Sequence, residues 1–129
     1  MTDLVLESLE LAAENIDDIV PPVYKSYFDR CPGSEALMSH IDNLVRGKML
    51  DEVLRLVMKE SYEGEQQYLD FEVNNHKLAY SVEPHMYGNL LAALRDVIRD
   101  AAGDGWTDAH EQAWDDRIAL LTSEITART

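Results

Sequence analysis

The sequence predicts a single all-α domain, and three observations support that prediction. Apolar residues recur at helical spacing along most of the chain. We find no sustained alternation of polar and apolar residues beside hairpin turns, the pattern typical of β-strands. The length of 129 residues suits one hydrophobic core or one enclosed prosthetic group, without room for a second domain. We therefore expect residues 1–129 to form one helical domain.

The first two predicted helices are separated by a pair of prolines. The first runs from about Asp3 to Asp17, with Thr2 or Asp3 as its cap. Its predicted inward face comprises Leu4, Leu6, Leu9 and Ala12 or Ala13. Because proline is tolerated in the first turn of a helix and not in its interior, Pro21 and Pro22 end this helix and begin the next. The second helix carries Val23, Tyr24, Tyr27 and Phe28 and ends near Cys31-Pro32-Gly33.

In the middle of the chain, the sequence predicts a short helix and a long helix, followed by a loop. A turn of helix is expected around Glu35 to Met38, and a longer helix from about Ile41 to Lys59. The apolar stripe of the long helix consists of Leu50, Val53, Leu54, Val57 and Met58. The polar stretch Ser61 to Gln67 predicts a loop, and the next helix, from about Tyr68 to Ala79, contains His76.

Two further helices complete the predicted domain. A corner and the start of a helix are predicted at Ser81-Val82-Glu83-Pro84. The same helix is expected to end at the glycine-rich turn Gly103-Asp104-Gly105. Its apolar stripe consists of Tyr87, Leu90, Leu91, Leu94, Val97 and Ile98. Thr107 or Asp108 caps the last helix. The inward face of this last helix consists of Trp114, Ile118, Leu121 and Ile125.

The charge of the chain excludes several classes of partner. It carries 25 acidic and 11 basic side chains, a net charge of −14, so neither nucleic acid nor an anionic membrane is expected to bind. Acidic residues are interspersed with apolar ones, as in Leu50-Asp51-Glu52-Val53-Leu54, which is typical of solvated helix faces. The acidity favours a role in solubility or in a salty cytoplasm, and a basic partner protein is the alternative.

Cysteine content and hydropathy predict the compartment. Cys31 is the only cysteine, which excludes a disulfide framework, a cysteine-rich metal site and covalent cofactor attachment through a CxxCH motif. No apolar run approaches the ~20 residues needed to cross a bilayer, and the N-terminus is acidic where a secretory leader would be basic. We therefore expect a protein of the reducing cytoplasm.

Four histidines are candidate ligands of a metal or cofactor: His40, His76, His85 and His110. None forms the HxxxH or HExxH pair of a zinc site. His76 lies on a mostly apolar helix, which is compatible with ligation, but a lone histidine in such a place is more often a core or surface residue. The residues alone therefore leave the choice open.

Three segments in the C-terminal part of the chain follow one another in a fixed order, without a gap from Tyr87 to Trp114. They are Pro84-His85-Met86-Tyr87, Gly103-Asp104-Gly105-Trp106-Thr107 and Ala113-Trp114. In this order they resemble the last two helices of bacterial globins and of flavohaemoglobin globin domains. The resemblance implies a globin-like fold, with helices packed around a haem pocket.

The resemblance implies that His76 is the protein ligand to the iron of a haem b group. In these globins the ligating histidine precedes a corner that contains a valine, which is Val82 here. Tyr87 is implied to lie at the same pocket. The stretch from His76 to Tyr87 is one residue longer than is usual in the family.

The second helix resembles the family segment in which an aromatic pair precedes an Asn-Pro-like stop. It runs from Val23 to Pro32 and places Tyr24 where many bacterial globins have a distal tyrosine. The resemblance implies that the Tyr24 hydroxyl donates a hydrogen bond to bound dioxygen. The alternative is a packed tyrosine whose hydroxyl reaches solvent or the backbone.

The same alignment continues into the third and fourth helices. Met38 falls where the family has a phenylalanine that stacks on the porphyrin, and its side chain is apolar but not flat. Arg46 takes the distal position usually held by histidine or glutamine, and Leu50 lies one turn later on the same face. Arg46 can donate to the bound ligand or to a haem propionate, or remain a solvated residue. With the register shifted by one, Val45 takes its place.

The implied function is reversible binding of a diatomic gas, dioxygen or nitric oxide, for storage, scavenging or sensing, with carbon monoxide as a further ligand. Nitric oxide dioxygenation or peroxidase turnover is an enzymatic alternative, which needs a separate reductase because these 129 residues show no flavin or nicotinamide domain. A haem-free globin-fold signalling or interaction module is the alternative from another class. The family also implies that the last two helices can form a homodimer surface.

Overall fold

A computed structural model describes residues 3–31, 33–39, 41–59, 64–71 and 84–127. The helices are α1 (Leu4–Ala13), α2 (Val20–Arg30), α3 (Ser34–Leu37), α4 (Asn43–Val57), α5 (Pro84–Ala102) and α6 (Asp108–Thr126). Residues 66–71 are also helical, and the 3-10 helix Gly103–Gly105 joins α5 to α6. No strand occurs in these ranges, which confirms the all-α prediction. None of the helices described is both long enough and apolar enough to cross a membrane.

Helix α5 lies at the centre of the fold. It packs against α1, α2 and α6, while α4 packs against α6 and α2. The predicted apolar stripe of α5 is confirmed, because Leu91, Leu94 and Ile98 are all buried in the core. The helix ends at Gly103, whose φ of +59° lies in the left-handed region that glycine adopts without strain. The chain then turns back, so that α6 packs against α5.

Helix α1 is shorter than the sequence predicts, and one residue of its predicted inward face is exposed. It ends at Ala13, not near Asp17, and the following turn is fastened by Asn15, whose Nδ2 donates to the carbonyl of Ala101 at 2.8 Å. Leu6 is 37 % exposed, so its predicted inward position is wrong. The buried face comprises Val5, Ser8 and Ala12. Ala12 is buried and Leu9 packs against the core, as predicted, whereas the buried Ser8 is polar and an apolar pattern does not include it.

Two helical segments begin earlier than the sequence predicts. Helix α2 begins at Val20, one residue before its proline pair. Gln66 and Gln67 are already helical, although the polar stretch around them predicts a loop. Residues 61–63 of that predicted loop, and residues 72–79 of the helix predicted after it, lie outside the described residues.

Helix α4 is shorter at both ends than the prediction from Ile41 to Lys59. The Asp42 side chain accepts a hydrogen bond from the amide of Val45, and this cap fixes the start of the helix. The helix ends at Val57. Met58 therefore falls beyond the last turn and is 42 % exposed, so its predicted place in the buried stripe is wrong.

Helix α6 is held to α1 by a buried polar contact that the sequence analysis does not predict. It is capped by Thr107, as expected. Its buried face includes Trp114, Leu121 and Ile125, also as expected. The Trp114 indole N–H donates to the Ser8 hydroxyl at 2.7 Å, and that hydroxyl donates to the carbonyl of Val5 at 2.6 Å. The polar atoms at the centre of this contact are therefore satisfied.

Arg117 ties together α1, α4 and α6. Its Nη2 lies 3.2 Å and 3.3 Å from the two carboxylate oxygens of Asp3, and its Nη1 donates to the carbonyl of Val57. The Asp3 carboxylate also accepts a hydrogen bond from the amide of Val5 and caps α1. The Arg117 and Asp3 side chains are only 10 % and 9 % exposed, so this ion pair is largely shielded from water.

Candidate functional site

Tyr24 lies at the centre of a cluster formed by α2, the segment after α3 and the start of α4. It is 3 % exposed, and its hydroxyl donates a hydrogen bond to the carbonyl oxygen of Arg46 at 3.0 Å. Burial raises the pKa of the Tyr24 phenol to about 12, although the Arg46 charge opposes the shift. The hydroxyl therefore stays protonated at neutral pH, and its one proton is engaged by the backbone.

The Arg46 side chain folds inward over the aromatic residues of α2. Its guanidinium carbon lies 5.2 Å from the Phe28 ring centre and 5.8 Å from the Tyr24 ring centre, within the range of cation–π attraction. Nη2 donates to the carbonyl of Met38 at 2.8 Å. Nε is buried and has no hydrogen-bond partner among the described residues. The cation is thus fixed by two rings and one carbonyl, with one N–H still lacking an acceptor in this part of the chain.

Three of the predicted site residues, Tyr24, Met38 and Arg46, are connected directly by these hydrogen bonds. Leu50 lies one turn after Arg46 on α4 and is 1 % exposed, within the hydrophobic core. Val45, the alternative to Arg46, is 43 % exposed, whereas the Arg46 side chain contacts α2. Of these two alternatives, Arg46 is therefore the one whose side chain joins the cluster around Tyr24.

The remaining predicted site residues are Tyr87, His76 and Val82, which come later in the sequence. Tyr87 lies on α5 and is half-buried against the core. His76 and Val82 lie outside the described residues, so their assignment stays a prediction.

Phe28 belongs to the cluster, although the sequence analysis does not assign it to the site. Its ring centre lies 5.9 Å from that of Tyr24, and it is the nearer of the two rings to the Arg46 guanidinium. Residues four positions apart share one face of a helix, and this spacing relates Tyr24 to Phe28. The pattern that places both rings at one site is therefore present in the sequence.

Helical residues 66–71 include the start of the helix predicted to carry His76, and polar side chains hold them against α4. Arg55 Nη1 pairs with Glu65 Oε1 at 2.7 Å, and its guanidinium lies 4.7 Å from the Tyr68 ring centre. The Tyr68 hydroxyl donates to Glu52 at 2.9 Å. Leu69 is buried in the core. These contacts fix the start of the segment.

The docking of this segment is expected to depend on pH. The hydrogen bond from Arg55 holds the pKa of the Glu65 carboxyl below its ordinary value, and the Tyr68 hydroxyl does the same for Glu52. A carboxyl with a lowered pKa stabilises the folded protein above its ordinary pKa of about 4.3 and loses that contribution as the pH falls through the lowered value. We therefore expect the free energy of unfolding to decrease below about pH 4.3, and Glu65→Gln to lack part of that decrease.

Denaturant unfolding at neutral pH and at about pH 3 measures this dependence. The stability difference between the wild type and Glu65→Gln should narrow on acidification. Glu10→Gln, which changes an exposed carboxyl on α1, is the matched control and should show no comparable narrowing. A difference of equal size at both pH values would rule out a titrating role for Glu65.

A family model described as Globin matches residues 19–125 of the chain. The matched range begins just before α2 and ends within α6, so it includes the cluster around Tyr24 and the residues between α4 and α5. No curated protein and no solved structure matches the chain.

Proposed function

Because the chain belongs to the globin family, we propose that it binds haem b and, through the haem iron, a diatomic gas such as dioxygen or nitric oxide. The family match over residues 19–125 carries this proposal, since it spans both Tyr24 and His76. Globins are haem proteins that bind gases at the haem iron. Reversible binding would serve storage, scavenging or sensing.

The described side of the proposed pocket fits such a group. Haem is a flat, mostly apolar ring system that carries two carboxylates. Leu50 and Met38 supply apolar side chains, one buried and one half-buried. Arg46 supplies a cation whose buried Nε has no acceptor within the described ranges. Apolar side chains near a cation suit a ligand that brings both an apolar face and a negative group.

The proposed roles follow from the chemistry of each side chain. His76 would hold the iron through one ring nitrogen, and an acceptor for its other ring nitrogen would orient the imidazole. Met38 and Leu50 would contact the haem ring system, and Val82 and Tyr87 are proposed as further residues of the pocket. Bound haem supplies an iron centre that coordinates the gas.

The proposed distal role of Tyr24 is constrained by its hydrogen bond. Its hydroxyl has one proton, and that proton is engaged by the Arg46 carbonyl. Tyr24 can therefore donate to a ligand only when this bond opens. In the described arrangement it holds α2 against α4 at the site.

Adding haem to the purified protein tests the proposed function. We expect a sharp Soret band, which shifts when carbon monoxide is added to the reduced protein. Absence of the band under every reconstitution condition would contradict the proposal.

A haem-free interaction module with the globin fold is the second candidate. Met38 favours this candidate, because the resemblance places there a phenylalanine that stacks on the porphyrin. The Met38 carbonyl also accepts a hydrogen bond from Arg46. The same haem titration separates the two candidates, since the interaction module gives no Soret band.

A further inference from the structure

Arg55 is the centre of a polar cluster at the end of α4. Its Nη1 lies 2.7 Å from Glu65 Oε1, and its Nε lies 3.1 Å from Glu52 Oε2. The guanidinium carbon lies 4.7 Å from the Tyr68 ring centre, and the Tyr68 hydroxyl donates to the same Glu52 oxygen at 2.9 Å. Lys59, just after α4, also pairs with Glu65, at 3.3 Å. We call these five residues the Arg55 cluster.

The segment that the Arg55 cluster holds against α4 buries little apolar surface of its own. Among residues 64–71 of the described structure, only Leu69 is buried. The Phe71 side chain, at the end of this range, is 66 % exposed. A segment with few buried apolar contacts is held weakly, so its polar contacts decide how firmly it stays docked.

The position of Leu69 bears on His76 through helical spacing. His76 follows Leu69 by seven residues in the sequence. The sequence predicts one helix over both, in which seven residues make about two turns and bring two side chains to the same face. The way in which residues 64–71 dock on α4 would therefore set the orientation of His76.

We propose that Arg55 is a positioning residue for the haem iron, because it fixes residues 64–71 on α4 and so orients the helix predicted to carry His76. The inference rests on the proposed function, in which His76 holds the iron. Arg55 acts through His76 and is not itself a ligand. Its loss is therefore expected to weaken the retention of haem without abolishing haem binding.

Transfer of haem to an excess of apomyoglobin measures this retention as a rate. We expect Arg55→Met to lose haem about tenfold faster than the wild type. The Arg55 side chain is 37 % exposed, so the pair with Glu65 and the cation–π contact with Tyr68 each contribute only a few-fold. Arg55→Lys keeps the charge without the planar fork, so its rate should lie between those of the wild type and Arg55→Met.

The iron–histidine stretching band of the reduced haem protein gives a readout that does not depend on the rate. A histidine held in one orientation gives one narrow resonance Raman band, whereas a mixture of orientations broadens it. The band should be broader in Arg55→Met than in the wild type, and Arg55→Lys should restore part of its sharpness.

A double-mutant cycle tests whether Arg55 acts through the Arg55 cluster. Glu65→Gln removes the carboxylate with which Arg55 pairs. If both residues act through this contact, the double variant should lose haem more slowly than the product of the two single effects predicts. Strictly multiplicative effects would contradict the role of the cluster.

Two control variants separate positioning from a general loss of charge or stability. Lys48→Met removes an exposed cation from α4 outside the Arg55 cluster. Ser8→Ala weakens a contact between α1 and α6. Both should lose haem within about threefold of the wild-type rate and keep a narrow iron–histidine band.

The outcomes separate this inference from the proposed function. If the Soret band forms and Arg55→Met keeps the wild-type rate of haem loss and the wild-type band, the inference is overturned while haem binding stands. Equal acceleration in Arg55→Met and Ser8→Ala also overturns it, because it indicates general destabilisation. If the wild type forms no Soret band, the proposed function fails and this inference fails with it.

Discussion

Arg117→Met is expected to lower the free energy of unfolding by about 3–5 kcal/mol, because it removes one partner of a largely buried ion pair. The Asp3 carboxylate would remain shielded from water without its counter-charge, and the Val57 carbonyl would lose its donor. Methionine preserves much of the apolar stem, so the effect reports mainly on the charge. Since small domains are stable by only about 5–15 kcal/mol, the variant should unfold at clearly lower denaturant concentration.

Arg99→Met is the matched control for this prediction. The Arg99 side chain is 40 % exposed, and its partner Asp96 also pairs with Arg30 and Arg95, so loss of Arg99 should change stability by no more than about 1 kcal/mol. Adding Asp3→Asn to Arg117→Met should restore part of the lost stability, because it removes the unpaired charge. Equal small losses in Arg117→Met and Arg99→Met would show that the link between α1, α4 and α6 contributes little.

Trp114→Ala is the second substitution with a large expected effect, a loss of about 3–5 kcal/mol in unfolding free energy. The indole belongs to α6, is fully buried in the core and contacts Ser8 of α1, so truncation leaves a cavity. Ser8→Ala should cost about 1–3 kcal/mol, because it leaves the buried Trp114 N–H without its acceptor. Urea unfolding of each variant measures both losses.

The second tryptophan of the chain is the control for Trp114. Trp106 is half-buried, and its indole N–H donates to Glu111 at a partly exposed site. Trp106→Ala should therefore cost less than Trp114→Ala. A larger loss in Trp106→Ala would contradict the assignment of Trp114 to the centre of the core.

Caps and apolar spacing allow much of the helical fold to be predicted, because both act within a few residues of the chain. Pro84 begins α5, Gly103 ends it and Thr107 caps α6, as the sequence predicts. Each prediction depends on a local backbone property, either the fixed φ of proline, the left-handed φ of glycine or a side-chain acceptor for free amides.

Contacts between distant residues could not be predicted in the same way. Periodicity indicates which side of a helix is buried, but not which residues of another helix that side contacts. No local sequence pattern therefore predicts the contacts Ser8–Trp114 and Asp3–Arg117. The error at Leu6 has the same cause. The buried face of α1 includes a serine because a tryptophan from α6 supplies its donor, and apolar spacing alone does not include it.

The candidate site was only partly predictable from the sequence. Alignment with the globin family indicated Tyr24, Met38 and Arg46 as neighbours, and the hydrogen bonds among them show that they are. The direction of the Tyr24 hydroxyl depends on how α2 packs against α4, which no sequence pattern specifies. The Tyr24 hydroxyl donates to the Arg46 carbonyl. The resemblance alone does not indicate that this hydroxyl proton is already engaged.

Replacing His76 by glycine tests the central claim, haem ligation by His76, most directly. His76→Gly should lose the Soret spectrum of the wild type, and free imidazole should restore it by occupying the vacated position on the iron. His85→Gly, which removes another histidine from the C-terminal half, should keep the spectrum without imidazole. A His76→Gly protein that retains the wild-type spectrum in the absence of imidazole would contradict the assignment of His76 as the iron ligand.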